Sequence, residues 1–293
     1  MVGRWRSARG RSVLVTVAAF VLLVLLWEVT KLVLPDAGVS VGDTRLLPRT
    51  DDAAMPHVWT VLAQLGRPEV AVPGSRTVGA AVALSALFTL GLSLGGLVLG
   101  GLLGVLLALV MLRFRLAERA ALPYVVASQT VPLIAIAPLV AGWGGKIAIM
   151  GWSWQPWASV MVISSYLAFF PVAVGMLRGL SAPGRADVEL FSAMAAGWWT
   201  TLLRLRLPAS VPYLLPAVRL AASAAVVGAI VAEISTGTRG GIGRLIIEYA
   251  QSATGDPSRM YAAILGAAVL GLVAAGAVGV LDVGLRRYRG SVR

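Results

Sequence analysis

The chain has 293 residues, 58% of them hydrophobic and 13% charged, with a net charge of +12 and a mean hydropathy of +0.85. A soluble domain of this length is rarely so apolar, and several stretches exceed the ~18–20 apolar residues that cross a bilayer core of about 30 Å, so the chain reads as an all-α polytopic membrane protein. The absence of cysteine excludes disulfides, thiol chemistry and cysteine-ligated metals, and the positive charge reads as loop charge of a membrane protein rather than a nucleic-acid surface.

Arg4, Arg6, Arg9 and Arg11 precede an apolar run that begins at Val13. A signal peptide has this outline, but the run continues through Trp27 into residues 29–34 with no clean small-x-small cleavage site. Residues 1–12 therefore read as a basic N-terminus and 13–34 as a retained first span. Residues 35–80 are the most polar part and read as an extracytoplasmic segment, in which Met55 to Leu65 has the spacing of a short amphipathic helix. The remaining core, 81–285, carries five more spans.

Span two, 82–112, is rich in glycine, and the pairs Gly91/Gly95, Gly96/Gly100 and Gly100/Gly104 predict close approach of another helix. A short basic loop with Arg113, Arg115 and Arg119 leads to span three, 122–143, which contains Ser128, Gln129, Thr130 and Pro132. The loop 144–157 holds Trp152, Trp154 and Trp157, which with Trp143 read as an interfacial aromatic belt. Span four covers 158–177, and span five covers 213–233 and ends at Glu233. The stretch 234–258 is polar and glycine-rich, span six covers 260–281, and 286–293 form a basic tail. Six spans put both termini on one side. By these boundaries that side holds 15 basic residues and the other eight, so both ends and the loop around residues 187–208 are expected in the cytoplasm of a bacterial inner membrane.

That loop, Asp187 to Pro216, is the most informative stretch. Its first half is small and mixed, with Asp187 as a plausible N-cap; Arg204 and Arg206 follow, and Pro208, Pro212 and Pro216 mark a turn and re-entry into the membrane. It resembles the cytoplasmic loop of ABC importer permeases, whose pattern runs Glu-Ala-Ala, three residues, Gly, nine residues, Ile-x-Leu-Pro. Laid on without gaps, Glu189 falls on the motif glutamate and Leu205 on the isoleucine, while Leu207 and Pro208 match. Leu190 and Phe191 stand in place of the alanines and Ala195 in place of the glycine, with Gly197 two residues later.

Over roughly 13–285 the chain is similar to the nitrate/sulfonate/taurine group of type I ABC importer permeases, which includes transporters of thiamine-precursor pyrimidines and riboflavin. The resemblance implies about six transmembrane helices with a cytoplasmic coupling helix, from Glu189 to Pro208, seated in a cleft of a separate ABC ATPase. Ser192, Ala193, Ala195, Ala196 and Gly197 would supply its low-relief face. The bland reading of the same residues is a helix resting on lipid headgroups, with Trp198 and Trp199 as anchors. The resemblance also implies a second permease copy or sister, an extracytoplasmic solute-binding protein, and ATP and Mg bound by the partner ATPase, so that this chain carries no cofactor, metal or catalytic residue of its own. Ser128 to Pro132 and Leu190-Phe191 look more like the pyrimidine/riboflavin branch than the sulfonate branch.

Three further features are weighed against simpler readings. Glu233, followed by Gly240 to Gly243, reads either as a path or gate contact or as a solvated helix end. Ser128, Gln129 and Thr130 beside Pro132 read either as path lining or as ordinary interhelical hydrogen-bonding groups. His57, the only histidine, has no evident partner for a metal or catalytic pair, and Lys146 lacks the glycine six residues upstream that a P-loop needs, since Val140 stands there. A membrane-embedded enzyme finds no nucleophile–base pair here. An ion-driven carrier or channel remains the other class.

Overall fold

A backbone that crosses lipid must satisfy its own polar groups, and in the computed structural model the apolar stretches form long helices. The structure describes residues 2–41, 44–47, 49–149, 151–252 and 257–289, with side chains described outside 1–13, 16, 39–48, 149–150, 152, 253–256 and 280–293. The arginines expected at the two ends, Arg4 to Arg11 and Arg286 to Arg293, have side chains outside that set, as do Arg45 and Trp152. In order, the elements are α1 (Val2–Val33), β1 (Val39–Val41), β2 (Thr44–Leu47), α2 (Val58–Gln64), α3 (Val78–Arg113), α4 (Arg115–Ser128) and α5 (Leu133–Gly144). There follow β3 (Ala148–Ile149), β4 (Trp152–Ser153), α6 (Pro156–Leu180), α7 (Arg185–Ala193), α8 (Trp198–Thr201), a π-helical turn (Leu202–Arg206), α9 (Leu207–Thr236), α10 (Ile242–Gln251) and α11 (Ser258–Arg289). Among the described residues the architecture is helical, with two small antiparallel strand pairs, β1–β2 and β3–β4. Among the described residues four helices are long and apolar enough to cross a membrane, or five if α4 and α5 form one span.

The chain divides into two units, residues 1–81 with 248–263, and 82–247 with 264–293. In the first unit the end of α1 is tied down by polar contacts. Trp27 Nε1 donates to the Pro56 carbonyl (3.1 Å), and Lys31 Nζ reaches Asp52 (2.6 Å) and the Met55 carbonyl (2.6 Å). His57 has a structural partner: its Nδ1 lies 2.7 Å from Glu28 Oε2, while Glu28 Oε1 accepts the Val58 N–H that opens α2. Sequence separation of 29 residues hid that pair. Glu69 forms a second node, pairing with Arg76 and accepting the Tyr249 hydroxyl (3.0 Å), while its carbonyl accepts from Arg259 (3.0 Å). The Arg76 guanidinium holds the Glu69 carboxyl below its ordinary range, and burial pushes the Tyr249 phenol up.

The second unit is built on α6, which contributes to three buried clusters: one with Ala108 and Met111 of α3, one with Ala137 of α5 and Ala229 of α9, and one with Ala221 and Ala225 of α9. The glycine spacing in α3 has a concrete use. A Cβ at Gly104 would come within 2.7 Å of the Phe169 carbonyl and 2.9 Å of the Ala173 nitrogen, and one at Gly100 would fall on the backbone of Ser165 and Phe169. Here α3 and α6 approach backbone to backbone, as small-xxx-small spacing predicts.

Three departures from the sequence reading have local causes. The single span expected at 122–143 is two helices, α4 and α5, bent by 102° where Pro132 ends the hydrogen-bond ladder and disfavours a helical Val131. The turn expected at the prolines after Arg206 is instead continuous helix. The π-helical turn widens the backbone just before Pro208, whose ring would otherwise meet the Arg204 carbonyl, and α9 then runs through Pro212 and Pro216. The glycine-rich stretch after Glu233 contains α10, whose Ile242, Leu245 and Tyr249 bury one face at helical spacing. Trp154 also leaves the expected belt, turning its Nε1 onto Ser159 Oγ (2.8 Å), while Trp143 and Trp157 stay exposed.

Candidate docking loop and transport path

Between α6 and α9 the chain leaves the packed core, and every side chain of α7 is exposed or half-buried. The N-cap is Gly184 rather than Asp187, which sits in the first turn, where a carboxylate favourably meets the helix dipole. Glu189, Ser192, Ala193, Ala195 and Gly197 are exposed and Ala196 is half-buried. Large apolar side chains stand among them, with Leu190 59% and Met194 71% exposed. These two carry an apolar surface that the sequence reading did not assign; their spacing of four residues, one helical turn, was the available signal.

The helix ends by satisfying its own carbonyls. Ala196 N–H donates to Phe191 O (2.9 Å) and Ala195 N–H to Ser192 O (3.0 Å), the paired bonds of a Schellman cap. Such a cap needs a left-handed residue, and Ala195 takes it at φ 53°, the only non-glycine residue with positive φ among the described residues. Ala195 occupies the motif position that resembles a glycine. The alanine thus keeps the geometry at a steric cost of roughly 1 kcal/mol.

The exit from the loop is anchored. Arg206 Nη1 donates to the Leu180 carbonyl at the end of α6 (2.9 Å), occupying one of that helix's unpaired terminal acceptors. Leu202 is 2% exposed in the cluster with Met111, Met176 and Leu180. Arg113 lies over the Trp198 ring at 5.5 Å, whereas Trp199 is exposed. Leu205 and Leu207 are half-buried and Pro208 is exposed. Rigid base, self-capped helix and exposed apolar face together make a surface suited to another protein.

The other candidates lie apart from this loop. Ser128 Oγ bonds the Val125 carbonyl (2.8 Å) and Thr130 Oγ1 the Ala127 carbonyl (2.8 Å), so both hydroxyls close the end of α4. Gln129 is exposed, its Nε2 3.4 Å from Ser128 Oγ. Tyr166 of α6 donates to the Ser128 carbonyl and pins the break to the core. Glu233 is fully buried, which removes the reading of it as a solvated helix end. Thr89 Oγ1 lies 2.8 Å from its Oε1, and Gly243 N–H donates to its Oε2 (2.9 Å). The sequence brought Glu233 and the glycines together; Thr89, 144 residues away, gave no signal.

Residues 100–287, more than half of the chain, match the family described as binding-protein-dependent transport system inner membrane component. Among curated relatives, a formylaminopyrimidine transport permease of Halalkalibacterium halodurans is 39% identical over 138 residues, 47% of this chain and 52% of the relative. A riboflavin transport system permease of Chloroflexus aurantiacus is 29% identical over 129 residues, 44% of each chain. A Bacillus subtilis permease named for aliphatic sulfonates is 27% identical over 163 residues, 56% of this chain and 55% of the relative. The chain spans about half the length of these relatives. Family match, apolar helices and the loop pattern agree: the chain belongs to the binding-protein-dependent inner-membrane components, the permeases of type I ABC importers.

Proposed function

We propose that this chain is the transmembrane permease subunit of an ATP-driven importer, with six spans, both termini cytoplasmic, and a solute path formed with a second permease copy or a sister chain. A separate ABC ATPase binds ATP and Mg and docks on the surface from Glu189 to Gly197, and a solute-binding protein delivers cargo on the other side. The observation that carries this reading is α7: a helix with no buried side chain, Leu190 and Met194 projecting outward, held on a firm base by Arg206 and Leu202. Exposed apolar residues on a self-capped helix favour a protein groove as occupant. Leu205, Leu207 and Pro208 then carry motion from the loop into α9. Ser128, Gln129 and Thr130 are the polar groups closest in kind to path elements, and Glu233 to a gate element away from the path itself.

The cargo is a small organic molecule or anion, with a pyrimidine- or flavin-like heterocycle favoured over a sulfonate, taurine or nitrate. The support is the first two relatives' names and the Ser128-to-Pro132 sequence. Co-expression with the neighbouring ATPase gene product and purification through a tag on the permease test the assembly. The ATPase should co-purify with the native chain and be lost from Ala193→Trp. Purification of the chain alone, with native and variant alike, would return the reading to a self-contained carrier.

A further inference from the structure

The buried contacts of Glu233 form a joint around the start of α10. The first backbone N–H groups of a helix have no partner within it. Here two of them find partners from two other helices: Ile242 N–H donates to Thr89 Oγ1 of α3 (2.9 Å), and Gly243 N–H to Glu233 Oε2 of α9 (2.9 Å). Thr89 and Glu233 are bonded to each other, and both are 0% exposed. The chain between α9 and α10 is shaped to permit this. Gly237 ends α9 in the left-handed region at φ 67°, Gly240 takes φ 94°, and Gly241 lies so close to the carboxylate that a Cβ there would overlap it. Burial of both oxygens leaves no face of this carboxylate for a passing solute.

We propose that Glu233 and Thr89 are positioning residues, which make the start of α10 move as one body with α3 around Thr89 and with the finish of α9. The claim rests on the importer reading, because α9 begins at the exit of the docking loop and ends at this joint. Its 30 residues span about 45 Å at 1.5 Å per residue. A displacement of the loop therefore arrives at α10 through a hydrogen-bonded joint rather than a slack connection, and Glu233 acts without touching cargo.

The test uses the assembled importer in lipid nanodiscs, with the solute-binding protein purified carrying its endogenous cargo. Amide exchange at Ile242 and Gly243 and binding-protein-stimulated ATP hydrolysis are measured for the native chain, Thr89→Val, Thr89→Ser and Gly241→Ala. Native and Thr89→Ser should keep both amides protected and the stimulation intact. Thr89→Val and Gly241→Ala should raise exchange about tenfold or more and lose the stimulation while basal hydrolysis persists. Amides that stay protected in both disrupting variants overturn the joint. Fast exchange with unchanged stimulation overturns its role in transmission. Failure of the native chain to retain the ATPase defeats the importer reading, while exchange on the chain alone still decides the joint.

Discussion

The α7 loop that precedes α9 and the finish of α9 are held in opposite ways. Ahead of the start that Arg206 anchors, the α7 loop satisfies its polar groups locally through the Ala195 cap and Ser192 back-bonded to the Val188 carbonyl (3.0 Å), leaving a whole helix surface uncommitted. At the finish of α9, Glu233 gives both oxygens to partners from other elements and exposes nothing. A surface kept for another molecule cannot depend on tertiary contacts for its shape, whereas an internal joint consists of them. Substitutions should respect that division.

The largest effect is expected at the buried end. Glu233→Ala strips the Thr89 hydroxyl and the Gly243 N–H of a shared acceptor and should destabilise the chain by about 2–4 kcal/mol, read as a lower denaturation midpoint in detergent. An unchanged midpoint would erase the contrast. Arg206→Met removes the guanidinium from the Leu180 carbonyl while keeping an apolar stem, with an expected cost of about 1–2 kcal/mol and increased protease sensitivity of α7. Ala195→Gly removes the left-handed penalty, partly offset by unfolded-chain entropy, and should stabilise the loop by up to about 1 kcal/mol; destabilisation would show that the cap is not the native conformation. Glu69 gives a smaller, pH-dependent effect. Its carboxyl is held low by Arg76, so its stabilisation is fully present above the ordinary carboxylate pKa and fades as pH falls below it through the depressed folded value. The denaturation midpoint should therefore drop more steeply below that pKa in the native chain than in Glu69→Gln. Smallest of all, Glu189→Lys should leave the midpoint within about 0.5 kcal/mol yet weaken ATPase retention.

Much of this was legible in the sequence because lipid imposes simple rules. The apolar runs in α3, α6, α9 and α11 announced helices, and the glycines of α3 announced the close approach to α6. The loop pattern from Glu189 to Pro208 located the exposed helix, and Ala195 stood out as a departure although its left-handed backbone did not. Pro132 marked where α4 and α5 part, but the composition of 122–143 read as one span. Helix α10 was hidden by glycines that look like loop punctuation; Gly241 is there to make room for Glu233. The Thr89–Glu233 and Glu28–His57 contacts were out of reach, since pairings 144 and 29 residues apart follow from packing.

The natural absence of cysteine allows α7 to be tested as the docking surface by cross-linking. Single cysteines are introduced at Ala193, on the α7 face, and at Val227, on an exposed face of α9, and each permease is treated with a short bismaleimide beside its ATPase partner. A permease–ATPase adduct should form from the Ala193 position and none from Val227. An ATPase that co-purifies yet forms its adduct only from Val227, or equally from both, would contradict the assignment of α7 as the docking surface.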